Sequence, residues 1–230
     1  KGFRPLKKGR VQKERIAMQE LNKLDTLREI IDRGQYIVAL CGSGMMEECG
    51  IYPLKEQERA YRIEERYGRS PEYLYTDAFF NTRTEMFYDF YKHEILADLE
   101  PSASTYALAA MERAGKLKCI ISSNIYELSE RSGCKNVINL HGSIYHNHCQ
   151  RCGKTYSVDY IRQAKKVPCC EVCGGVIRPD VSFFGEMLDS EKLSRTLEEI
   201  EKSDVLLLLG TSLSSEVFHN YIKCFEGSKI

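Results

Sequence analysis

The sequence predicts an α/β fold in which a mostly parallel sheet is wrapped by helices and carries a smaller lobe. Three observations predict it. Four short runs are apolar throughout instead of alternating, as strands covered on both faces must be; helical patterns lie between them; and two segments, 55–100 and 143–180, break that rhythm. A chain of 230 residues can bury one substantial core plus a smaller module, so two lobes are expected and not two independent domains.

In chain order, residues 11–33 place Ile16, Leu21, Leu24, Leu27 and Ile30 at helical spacing, with Gly34 as a stop signal. The basic stretch Lys1–Lys13 reads as a solvated leader to that helix. Tyr36–Leu40 is the first apolar run and opens onto Gly42-Ser43-Gly44; the others are Cys119–Ile121, Val137–Leu140 and Val205–Leu209. Helices are expected at 104–114 and 190–202 between them. Segment 55–100 is charged and aromatic without a strand-like run, so it is expected to be helical, with most of Tyr61, Tyr67, Tyr73, Tyr75, Phe79, Phe80, Phe87, Tyr88, Phe90 and Tyr91 packing its core.

Lys plus Arg and Asp plus Glu both total 33, and this zero balance points to neither a nucleic-acid nor a membrane partner. No run approaches the ~18 apolar residues of a membrane span, and the N-terminal stretch lacks the apolar centre of a secretory signal. Of the ten cysteines, four fall in metal-ligand spacing and several others sit in apolar runs, which suits a soluble protein of the reducing cytoplasm.

The four are Cys149 and Cys152, then Cys170 and Cys173: two Cys-x-x-Cys knuckles, each followed by a glycine that allows a tight turn. Four thiolates at this spacing make a closed, structural zinc site with no coordination position for water or substrate. Cys169 is an alternative to Cys170, although the spacing favours the latter; His148 is a spare neighbour of the metal.

Chemistry must then lie elsewhere, and strand ends are the place to look. Gly42-Ser43-Gly44 ends the first run, where small residues and the start of a following helix could cradle a phosphate; Gly210-Thr211-Ser212 ends the last. His141 follows Val137–Leu140 at the carboxyl end of a presumed parallel strand, the position where such sheets carry ligands, and is a candidate general base.

Gly42-Ser43-Gly44, Gly50-Ile51, Asn124-Ile125, His141-Gly142, the two knuckles, Arg178-Pro179, Val181, Phe184-Gly185-Glu186 and Gly210-Thr211-Ser212-Leu213 occur in the order and spacing of the sirtuins, and the chain resembles that family over about residues 36–215. The resemblance implies a Rossmann-like NAD-binding lobe (1–44, 101–142 and 181–230) and a small lobe made of a helical excursion (45–100) and a zinc-ribbon module (143–180). It implies NAD-dependent removal of acyl groups from protein lysine with release of nicotinamide. His141 would be the general base and Asn124 would orient the ribose and the attacking water. Gly42, Ser43, Gly44, Ser123, Gly210, Thr211 and Ser212 would hold the dinucleotide. Val181 and Phe184 would line an acyl-lysine tunnel, while Gly185 and Glu186 would pair with an extended acylated peptide.

The sequence also departs from the family. Pro-Asp-Phe-Arg after Gly-Ile becomes Tyr52-Pro53-Leu54-Lys55, and Thr-Gln-Asn-Ile-Asp becomes Ser122-Ser123-Asn124-Ile125-Tyr126, so the acid expected to hold the nicotinamide carboxamide is replaced by Tyr126. Gly-Ala-Gly-Ile-Ser becomes Gly42-Ser43-Gly44-Met45-Met46. Ser228-Lys229-Ile230 has the pattern of a further strand, and in the family a later strand completes the adenosine pocket. Two alternatives to the deacylase follow: an ADP-ribosyl transferase or NAD glycohydrolase, and a catalytically silent module that binds NAD, ADP-ribose or a protein.

Overall fold

The computed structural model describes residues 22–211, 216–223, 225, 228 and 229. Helix α1 (22–33) leads into β1 (Ile37–Cys41), a short α2 (Gly44–Glu47), then α3 (Gln57–Tyr67), α4 (Pro71–Leu74), α5 (Asp77–Thr82) and α6 (Thr84–Phe90), which runs into a π-helical turn at Tyr91–Ile95. There follow α7 (Ala103–Arg113), β2 (Leu117–Ser122), α8 (Leu128–Arg131), β3 (Val137–Asn139), β4 (Gly142–Cys149), β5 (Thr155–Tyr156) and α9 (Val158–Gln163). The chain continues through β6 (Ile177–Val181), α10 (Ser190–Lys202), β7 (Val205–Leu209), α11 (Glu216–Lys223) and β8 (Ser228–Lys229). Residues 11–21 of the expected first helix, the basic stretch Lys1–Lys13 and Ser212 lie outside the described residues.

The large sheet is five-stranded in the order β3-β2-β1-β7-β8, and all its pairs are parallel. Strand β1 shows why its sequence is apolar at every position. Ile37, Ala39 and Cys41 pack into one core while Val38 and Leu40 pack into the core on the opposite face, and all five are buried. The expected extra strand is present: Ser228 and Lys229 pair with Val205 and Leu206. From β1 the chain adds β2 on one side and β7 on the other, so the carboxyl end of β1 is the switch point where open α/β sheets form a crevice.

The 55–100 excursion is helical, as expected, because its starts are capped. Glu56 accepts from the N–H groups of Glu58 and Arg59, Ser70 accepts from Tyr73 ahead of Pro71, and Thr76 accepts from Phe79. Its rings assemble the third core: Phe80, Phe87, Tyr88, Phe90 and Tyr91 are buried there with Phe183 and with Ile144, Ile177 and Val181 of the second sheet. That sheet, β5-β4-β6, is antiparallel and carries the knuckles. Tyr75 is central, since its ring meets Phe87, Phe90, Tyr91, Phe183 and Phe184 at centroid distances of 5.2–6.4 Å.

Candidate active site and metal centre

The Sγ atoms of Cys149, Cys152, Cys170 and Cys173 lie within 4.8 Å of one another, the arrangement a tetrahedral thiolate site requires. Cys170 belongs to the cluster and additionally accepts the Tyr156 hydroxyl at 3.0 Å, whereas Cys169 is exposed and points its thiol to the Val167 carbonyl. One residue beyond the second knuckle's glycine lies a constraint that the spacing did not reveal: a Cβ on Gly175 would sit 2.9 Å from Cys149 Sγ, so that position must stay bare for the cluster to close. His148 is no metal neighbour. Its Nδ1 bonds Asp180 across the β4–β6 pair.

At the carboxyl edge of β2-β1-β7 three loops are stitched together. The Ser123 N–H donates to the Cys41 carbonyl at 3.0 Å, Gly42 N–H to Leu209 at 2.8 Å, and Gly44 N–H to Gly210 at 2.8 Å. The glycines therefore serve first as a clamp between strand ends. A Cβ on Gly42 would lie 2.4 Å from the Gly210 carbonyl oxygen, and one on Gly210, whose φ is 56°, would lie 2.4 Å from the Met45 nitrogen. The N–H groups of Gly42 and Gly44 are engaged within the protein, and α2 has only four residues, so the expected cradle of glycine amides plus a helix end reduces to exposed Ser43 at the turn. Cys41 beneath the turn is buried, and burial pushes its thiol up to about 12, which makes it inert packing.

Above this edge opens a cleft of about 580 Å³ between the sheet and the helical lobe. It gathers Gly42, Ser43, Ser123, Asn124, His141, Phe184, Gly185, Glu186 and Thr211, nine residues singled out from the sequence at five separate places in the chain. Gly44 and Gly210 lie behind it in the loop clamp, and Val181 is buried in the small-lobe core, opposite Gly142 in the β4–β6 pair.

His141 stands between β3 and β4, its carbonyl accepting from the Ser182 N–H at 2.9 Å. Burial lowers its pKa below the ordinary value, and the Lys192 ammonium lowers it further, so at neutral pH the imidazole is uncharged and able to take a proton. Asn124 is 3% exposed and held by its own loop. Its amide donates to Ser122 Oγ at 2.6 Å while its carbonyl oxygen accepts from the Tyr126 N–H at 2.9 Å, leaving an amide hydrogen for a ligand.

Glu186 is less free than a peptide-pairing role suggests. Its carboxylate bridges Arg178 at 2.6 Å and the Phe183 N–H at 2.7 Å, and its own N–H donates to the Phe183 carbonyl. The Phe184 N–H is likewise taken, by the Tyr75 carbonyl at 2.8 Å, which leaves exposed Gly185 as the edge of that segment.

The structure adds one residue that the sequence did not disclose, Arg59, and seats another that it did, Tyr126. Arg59 lines the cleft from α3, where it and Ile63 form the buried stripe; its guanidinium donates to the carbonyls of Tyr52 and Glu94. Tyr126 lines the same cleft and its hydroxyl donates to the Ile95 carbonyl at 3.0 Å. An arginine on a charged helix carries no mark of burial in sequence; only the four-residue step to Ile63 hints at it.

A model of the Sir2 family matches residues 42–217. The chain is 35% identical to an NAD-dependent protein deacetylase of Clostridium acetobutylicum over 212 residues, covering 91% of this chain and 86% of the relative. It is 35% identical to NAD-dependent protein deacylase 1 of Archaeoglobus fulgidus over 190 residues, covering 82% and 76%. Among solved structures it is similar to a Sir2 bound to acetylated peptide (TM-score 0.75, 26% identity, 90% and 84% covered). A mutant Sir2 homologue in complex with ADP-ribose is similar too (TM-score 0.77, 32% identity, 89% and 82% covered). With the cleft, the cysteine cluster and these matches in agreement, the chain belongs to the Sir2 family, the sirtuins.

Proposed function

We propose that this chain is an NAD-dependent protein deacylase that removes acyl groups from lysine in an extended peptide. The observation that carries the reading is the meeting of neutral His141 and loop-locked Asn124 in one cleft at the switch point of the sheet. When bound, NAD supplies a ribose carbon that becomes electrophilic as its bond to nicotinamide breaks. The chain's own residues do the rest. His141 takes the proton of a ribose hydroxyl, Asn124 orients the ribose through its remaining amide hydrogen, and Ser43, Ser123 and Thr211 hold ribose and phosphate, with Gly42, Gly44 and Gly210 fixing the loops that carry them. Ser212 shares that task in this reading, as the neighbour of Thr211.

Phe184 walls the acyl-lysine passage and Gly185 offers backbone to the peptide, with Val181 and Glu186 supporting that segment from behind. The four cysteines would hold one zinc ion that organises the ribbon and, with every ligand a thiolate, takes no part in chemistry. Among the described residues no helix is long and apolar enough to cross a membrane. A cytoplasmic setting belongs to this reading, since Cys149, Cys152, Cys170 and Cys173 would serve as metal thiolates and Cys41 and Cys119 are buried strand thiols, which a reducing compartment preserves. The test is release of the pyridine base by the zinc-loaded protein with and without an acetyl-lysine peptide. Dependence on both the peptide and His141 is expected; release without peptide points instead to a glycohydrolase or ADP-ribosyl transferase.

A further inference from the structure

Where the family carries an acid after Asn-Ile, this chain carries Tyr126. Its hydroxyl donates to the carbonyl of Ile95, and Arg59 donates to the next carbonyl back, that of Glu94. Two adjacent carbonyls thus hold the phenol and the guanidinium as neighbours where the base of the dinucleotide is expected, and the second arm of Arg59 straps the altered loop through Tyr52.

Arg59 is only 8% exposed, and its guanidinium hydrogen-bonds to carbonyls; the Glu56 carboxylate takes the backbone N–H of Arg59 and, like that of Glu94, makes no ion pair with the guanidinium among the described residues. A guanidinium withdrawn from water without a contacting carboxylate is costly, and a bound anion removes that cost. The cleft offers no free carboxylate of its own. Glu186 is the single acid among its described lining residues and is closed on Arg178 and Phe183. With the hydroxyls of Ser43, Ser123 and Thr211 and the side chains of Asn124 and His141 given to ribose and phosphate in the reading above, Tyr75 and Lys55 also face the cleft: Tyr75, 6% exposed, has a buried hydroxyl without a partner, and the Lys55 ammonium lies 5.1 Å above the Phe184 ring. A carboxamide needs an acceptor for its NH2 as well as a donor for its oxygen, whereas a carboxylate needs donors alone.

We propose that the base end of this cleft takes a pyridine-3-carboxylate in preference to the 3-carboxamide, so that deamidated NAD is the better ligand, with Arg59 as the specificity-determining residue. The proposal rests on the deacylase reading for where the base lies in the cleft.

The experiment is equilibrium calorimetry of the full zinc-loaded chain with NAD and with nicotinic acid adenine dinucleotide, repeated with free nicotinamide and nicotinate. The deamidated dinucleotide is expected to bind at least ~10-fold tighter, as discrimination by a buried charge-assisted pair allows, and nicotinate but not nicotinamide to compete with it. Arg59→Gln should erase the ratio and Arg59→Lys should keep part of it. Because Arg59 also straps the loop, the wild-type ratio decides even if a variant does not fold. Equal or tighter binding of NAD to the wild type overturns the proposal, and leaves the deacylase standing if NAD still supports peptide-dependent base release. Binding of neither dinucleotide overturns both; preference for the deamidated form without deacylation by either upholds the proposal and removes the deacylase.

Discussion

A histidine acts as a base only while it is neutral, and the surroundings of His141 keep it so. Because burial and Lys192 both lower its pKa, the acid limb of the pH–rate profile is expected below the ordinary value of 6.5, with activity falling as pH drops through that lowered pKa. Lys192→Gln removes one of the two causes, so the limb should move to higher pH while dinucleotide affinity stays; steady-state kinetics across pH 5–8 (about the range in which histidine titrates) check it. His141→Ala should lower turnover by roughly 10²–10⁴-fold and leave the cleft able to bind, measured by kcat against Kd. The loop clamp makes a separate prediction at Gly42. Its added Cβ would meet the Gly210 carbonyl oxygen at 2.4 Å, so Gly42→Ala should cost about 1–3 kcal/mol in chemical denaturation and weaken dinucleotide binding as the strand ends part.

At the scale of elements, the small lobe is held by two devices of different origin. The ribbon β4-β5-β6 contributes only Ile144, Tyr156, Ile177 and Val181 to the shared apolar core besides its cysteines, so the four-cysteine cluster is its second tie. Cys170→Ser is expected to lower zinc content from one per chain toward none by atomic absorption and to melt the ribbon at lower temperature, since binding energy at such a site is folding energy. The helical excursion depends on rings. Phe87 is fully buried and stacks on Tyr91 at 5.6 Å, so Phe87→Ala should destabilise by about 3–5 kcal/mol in denaturant titration. These devices were unequally legible. Two knuckles in sequence specify a cluster because four ligands suffice to define it. An aromatic-rich segment announces a core, but not that Tyr75 would be the ring that packs against Phe183 and Phe184, more than a hundred residues further along the chain.

Across the whole molecule, strand-end residues were readable because parallel strands present their carboxyl ends on one edge, and a glycine turn, an Asn and a His at three such ends must converge there. What could not be read was what each group does with its hydrogen bonds. The amides of Gly42 and Gly44 were expected to face a phosphate and instead bind the neighbouring strand end, and Glu186 turns inward to Arg178. Arg59 reaches the cleft only because α3 packs its Ile63 face inward and thereby carries the guanidinium to carbonyls 52 and 94, a tertiary outcome without a local signature. The central claim is that this cleft transfers an acyl group from lysine to the ribose exposed when the base leaves. Mass spectrometry of the products formed from an acetyl-lysine peptide tests it most directly. The account predicts one unmodified lysine for each base released, with the acetyl group recovered on the nucleotide product; base release with the acetyl group still on lysine would contradict it.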